Sequence, residues 1–83
     1  MATEGEIDRV LASITTTLSE QKPETLDPSR VQHIVNDALG APQEATQVHV
    51  TPAGPHEAYV FDGSKRVGEI KRSDGRWHAS RTA

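Results

Sequence analysis

After Gly40 the spacing of apolar residues changes from a helical repeat to a repeat of two, and that change restricts the chain to helices laid against an antiparallel sheet. Before it, Ile7, Val10, Leu11, Ile14 and Leu18 fall on one stripe of a 3.6-residue period. Thr3 and Glu6 stand at capping-box spacing ahead of that stripe, and Pro23 closes it, so a helix is expected over 4–21. A second helix is expected over 28–39. Asp27 is a good N-cap, Pro28 occupies the first helical position, Leu26 and Val31 have hydrophobic-staple spacing, and Gly40 suits a left-handed cap with Pro42 beyond it. The short connection between the two favours an antiparallel helical hairpin.

The second half reads as strands over about 46–51, 57–62, 66–72 and 76–80, with Pro52-Ala-Gly-Pro55 as a turn that breaks the first of them. Gly63-Ser64 fits a type II′ turn and Asp74-Gly75 a type I′ turn. Such short loops fix a register in which Phe61 faces Arg66, Tyr59 faces Gly68, Arg72 faces Trp77 and Ile70 faces Ala79. Tyr59, Phe61, Gly68, Ile70, Trp77 and Ala79 then share the face expected to meet the helices, with Tyr59 covering Gly68. Ala58, Val60, Val67, Glu69, Lys71 and His78 share the other face, free for solvent or a partner. The expected fold is α+β: an N-terminal helical hairpin packed on one face of a three- to four-stranded antiparallel meander, in the order α-α-β-β-β-β, as a single domain over 1–83.

Composition bounds the function. With 83 residues, 34% of them apolar, and Tyr59, Phe61 and Trp77 as its aromatics, the chain builds a thin core with little interior for a deep pocket. Zero cysteines leave no disulfide, thiol nucleophile or thiolate metal site. No apolar run reaches the length of a membrane span, and the acidic start lacks the basic and apolar regions of a secretory leader. A cytoplasmic location without membrane contact is therefore expected. His33, His49, His56 and His78 show no ligand spacing, and no GxSxG elbow or phosphate-cradling glycine loop is present. The reading is of a protein that is not an enzyme and carries no cofactor or metal.

Charge is unevenly distributed. Residues 1–44 hold Arg9, Lys22 and Arg30 against eight acids, whereas 45–83 hold six basic residues against four acids. At Ile70-Lys-Arg-Ser-Asp-Gly-Arg-Trp-His-Ala79 the chain resembles the arm-DNA-binding sheet domain found at the start of many tyrosine recombinases. The likeness spans these ten residues, and that family places its sheet before its helix, the reverse of the order here. The resemblance implies DNA binding through the hairpin, and the basic residues of the meander that could make the contacts are Lys65, Arg66, Lys71, Arg72 and Arg76. Arg66 and Lys71 lie about 17 Å apart at the ~3.3 Å rise of a strand, so these cations form two small clusters rather than one stripe. Arg72 opposite Trp77 also fits a cation–π contact.

Two functions follow. The first is a protein-binding module, an adaptor or inhibitor-type regulator, presenting Val60, Val67, Lys71, Arg76 and His78 to an acidic protein surface or to a second copy of itself. The second is a nucleic-acid-binding regulator that uses the basic hairpin.

Overall fold

The computed structural model describes residues 3–40 and 47–82. Helix α1 (Glu4–Gln21) and helix α2 (Pro28–Leu39) precede strands β1 (Val48–Gly54), β2 (Glu57–Asp62), β3 (Lys65–Ser73) and β4 (Arg76–Arg81). The strands form one antiparallel sheet in the order β1-β2-β3-β4, and both helices lie on one side of it, α1 along β4 and α2 along β1. This is the α-α-β-β-β-β architecture the periodicity implies. The expected start of the first strand at residue 46, and Pro42 as a stop signal, lie outside the described residues.

Local chemistry sets the helix ends. The Thr3 hydroxyl accepts the Glu6 N–H at 3.1 Å, and the Glu6 carboxylate accepts the Thr3 N–H at 3.0 Å, completing the capping box. Helix α1 stops at Lys22, whose left-handed backbone (φ 48°) turns its N–H onto the Leu18 carbonyl at 2.8 Å. Pro23 explains that stop, because a proline disfavours the helical region for the residue before it. Asp27 caps α2 by accepting the Ser29 N–H at 3.0 Å, and Gly40 closes it with φ 64°.

The connection between the helices is tied to the sheet at three points. The indole of Trp77, 2% exposed, donates to the Pro23 carbonyl at 2.9 Å. Arg72 donates to the Glu24 carbonyl at 3.1 Å, and the Leu26 N–H reaches the Pro55 carbonyl at 2.7 Å. The Arg72 guanidinium lies 6.0 Å from the centre of the Trp77 ring, the cation–π geometry the sequence implies.

The hairpin of β3 and β4 has the expected register: Ile70 faces Ala79, Arg72 faces Trp77, and the turn places both Asp74 (φ 53°) and Gly75 (φ 74°) in the left-handed region of a type I′ turn. The hairpin of β2 and β3 departs from it. Phe61 faces Arg66 as expected, but the register then shifts, so that Val60 faces Gly68, Tyr59 faces Glu69 and Ala58 faces Ile70. The extra residue is Val67, a β-bulge that sends Val67 and Gly68 to the same side of the sheet. This reverses β2. Ala58 and Val60 are fully buried beneath the helices with Ile70, while Tyr59 and Phe61 turn to the outer face.

Close packing explains the reversal. A Cβ placed on Gly68 would sit 2.8 Å from Leu11 Cδ2 and 3.1 Å from the Ser80 carbonyl oxygen, so Leu11, not Tyr59, covers this glycine. A helix this close leaves room for alanine and valine on β2 but not for two rings. A second departure is at Pro52, where β1 does not end. It runs on to Gly54 through an irregularity between Pro52 and Gly54. As an edge strand, β1 tolerates a proline whose missing N–H would have pointed away from β2.

Two outcomes follow. Gly68→Ala should lower stability by about 1–3 kcal/mol, read as a lower denaturant midpoint at unchanged slope; an unchanged midpoint would show that α1 is not seated this tightly. The Glu6 carboxyl is held below its usual range, first by the Thr3 backbone hydrogen bond and then by the Thr3 hydroxyl. A depressed carboxyl supports folding above its unfolded pKa and loses that support as pH falls through the folded value. The thermal midpoints of wild type and Glu6→Gln should therefore differ at neutral pH and converge in acid; a constant difference would refute the linkage.

Candidate functional site

Because the helices take one side of the sheet, the opposite side is a helix-free surface whose composition follows from the bulge. The register sets its side chains in three rows: Thr51–Tyr59–Glu69–Ser80, His49–Phe61–Arg66 and Glu57–Lys71–His78. Tyr59 and Phe61, half-buried and two residues apart on the central strand β2, form its middle. The Arg66 guanidinium lies 4.8 Å from the centre of the Tyr59 ring. Lys71 Nζ stands 3.7 Å from Glu69 and 4.0 Å from Glu57, so its charge is matched on the face itself. Arg76 is exposed at the start of β4, and among the described residues it enters no ion pair.

The residues singled out from the sequence divide accordingly. Lys71, Arg76 and His78 are exposed on this face or at its end. Val60 is not: it is fully buried in the core, because the bulge turns it inward. Val67 is also withdrawn. It packs against the core from the helix side and lines a cleft with Ile7 and Asp62. Among the candidate nucleic-acid contacts, Lys65 and Arg66 border that same cleft beside Glu4 and Asp62, Lys71 is paired with two glutamates, and Arg72 is engaged with the Glu24 carbonyl and Trp77. The five cations therefore do not make a continuous basic stripe. Tyr59 and Phe61 are the surface residues that sequence reasoning missed. Ala58 through Phe61 is apolar at every position, so alternation within it carries no signal of which pair faces out.

Helix side chains satisfy peptide groups on both edges of the sheet. Near the start of β1, the Gln32 carboxamide donates to the Val48 carbonyl at 3.0 Å and accepts the Val50 N–H at 2.9 Å, taking the place of a neighbouring strand's peptide group. Further along that edge Pro52 offers no N–H. On β4 the Thr15 hydroxyl accepts the Ala79 N–H at 3.0 Å and donates to its carbonyl at 3.3 Å. Both devices block the strand addition that an open edge invites.

Among the described residues no three His, Asp or Glu side chains converge as metal ligands, and no helix is long and apolar enough to cross a membrane. His33 is on α2, His49 on β1, His56 in the turn after β1 and His78 on β4. Comparison with family models, curated proteins and solved structures finds no match for this chain.

If Gln32 closes the β1 edge, Gln32→Ala should cost about 1–3 kcal/mol by removing the carboxamide's bonds to the Val48 carbonyl and the Val50 N–H. It should also add concentration-dependent self-association in sedimentation velocity. A variant as stable and as dispersed as wild type would show that the carboxamide is dispensable at the edge.

Proposed function

We propose that the chain is a non-enzymatic protein-binding module, an adaptor or inhibitor-type regulator, that docks an acidic partner polypeptide on the outer face of its sheet. The observation that carries this reading is the pair of aromatics, Tyr59 and Phe61, standing at the centre of a face that neither helix covers. Aromatic and arginine side chains are the groups most often found at the energetic centre of protein interfaces; Arg66 stands beside the pair here, and Arg76 lies at the far end of β4. The closed edges support a face-on mode over strand addition. Charge supports the acidic partner: Lys71 engages both Glu57 and Glu69, and neither Arg66 nor Arg76 enters an ion pair among the described residues.

The aromatic pair also favours a second reading, since exposed rings on a sheet can stack the bases of single-stranded nucleic acid. The cations beside the rings form no continuous basic stripe, so the first reading is preferred.

Affinity capture followed by identification of the retained polypeptide tests the proposal. The partner should bind wild type and Arg9→Glu alike, because Arg9 is on the helix side, and should bind Tyr59→Ser/Phe61→Ser and Arg76→Glu at least about tenfold more weakly. Equal recovery by all four chains would refute the surface. Binding of single-stranded DNA that weakens steeply with salt and depends on Tyr59 and Phe61 would favour the second reading instead. Self-association lost in the same variants would identify a second copy as the occupant.

A further inference from the structure

The helical layer carries a groove of about 450 Å3 between α1 and α2. Ser13, Thr17 and Gln21 of α1 line one wall, and Arg30, Ile34 and Asp37 of α2 line the other. Arg30 and Asp37 are exposed, and Ile34 between them is half-buried. Their spacing of four and then three residues sets all three on one stripe of α2, the arrangement of a helix-packing seam. Neither charge is answered within the fold. The Arg30 guanidinium reaches the Gln21 carboxamide at 3.4 Å, and neither Arg30 nor Asp37 enters an ion pair among the described residues. Both charges also stand at the ends of α2 that disfavour them. Arg30 is in the first turn, at the positive end of the helix dipole, and Asp37 is in the last turn, at the negative end.

We infer that this groove joins two copies of the chain, α2 against α2 in antiparallel orientation about a two-fold axis beside Ile34. The stripe is its own complement in that arrangement: Arg30 of each copy meets Asp37 of the other. A parallel pairing would instead set Arg30 on Arg30 and Asp37 on Asp37. The antiparallel pairing also removes the conflict with the dipole. Arg30 then lies at the C-terminal end of the second copy's α2, where a cation is favoured, and Asp37 lies at its N-terminal end. The α1 wall admits the incoming helix, because Ser13 and Thr17 are short and no α1 carboxylate lines the groove. Two exposed ion pairs and a half-buried isoleucine support a weak dimer, with a dissociation constant on the order of 100 μM. The dimer stands without the docking reading above. Because it joins the molecules helix to helix, it leaves both sheet faces outward, and with that reading it makes the module bivalent.

Sedimentation velocity on the full chain, from about 10 μM to about 1 mM, tests the inference. The wild-type sedimentation coefficient should rise with concentration toward that of a dimer. Arg30→Asp and Asp37→Arg should each weaken association at least about fivefold. Neither change harms α2 itself, because each places at a helix end the charge that the dipole favours there. The double variant Arg30→Asp/Asp37→Arg should regain wild-type association within about twofold, and so should an equimolar mixture of the two single variants. Tyr59→Ser/Phe61→Ser should associate as wild type does. A chain that stays monomeric throughout the range overturns the inference, as do single variants that associate like wild type. A double variant or a mixture no stronger than the single variants also overturns it. So does association abolished by Tyr59→Ser/Phe61→Ser, which would move the contact to the sheet face. The capture experiment reads the sheet with Arg30 and Asp37 unaltered, so either reading can fail while the other stands.

Discussion

At Gly68 the helical layer comes closer to the sheet than a side chain would allow, with Leu11 of α1 occupying the space of the missing Cβ. A core this shallow cannot hold rings on the neighbouring strand. The inner positions of β2 go to Ala58 and Val60, and the β-bulge at Val67 reconciles that choice with the inward Ile70 and Trp77 of the next hairpin. An unbroken ladder would have to bury either Tyr59 and Phe61 or Glu69 and Lys71. Burying the charged pair means desolvating ions, and burying the rings means displacing Leu11. One inserted residue avoids both, and it is the reason the outer face is aromatic.

The rest of the molecule leaves that face as the broad uncovered side of the sheet. Trp77, Arg72 and Pro55 hold the connection between the helices against one end of the sheet. Gln32 and Thr15 satisfy edge peptide groups that would otherwise recruit another strand. Blunting an edge with a side chain from a packed helix costs little flexibility, because the helix already fixes the position of that side chain. With the other side under helices and each edge met by a helix side chain, the outer face is the broad uncovered surface.

The parts of this fold that were legible in the sequence are those with local causes. The capping box of Thr3 and Glu6, the Asp27-Pro28 start, the Gly40 cap and the Asp74-Gly75 turn each act over a few residues, and each is present as read. Turn geometry also carried the register of the last hairpin, so the exposure of Lys71, Arg76 and His78 followed from it. The bulge was not legible, because its cause is the distance of Leu11 from a strand some sixty residues away in the chain. Pro52 misled for a similar reason: whether a proline ends a strand depends on whether its missing N–H faces a neighbour or an edge. Charge counting located the cations but not their partners, and Arg72 and Lys71 are committed within the fold to groups that no local pattern connects to them.

Those partners also decide what the net charge of −3 means for recognition. The helical layer exposes Glu4, Asp8, Glu20 and Asp37 against Arg9 and Arg30, whereas the sheet and its turns expose Lys65, Arg66, Lys71 and Arg76 against Asp74, with Glu57 and Glu69 half-buried. The two layers are joined across their charge difference where Arg81 of β4 meets Asp8 at 2.9 Å and Glu4 at 3.9 Å. Even the shortest extent of the molecule, 20 Å, is about twice the screening length of roughly 10 Å at 0.1 M salt. An approaching partner therefore responds to the sign of the side it meets rather than to the total. In the proposed docking mode the helices would repel an acidic polypeptide and the sheet would attract it, with Tyr59 and Phe61 supplying the apolar area that charge alone cannot.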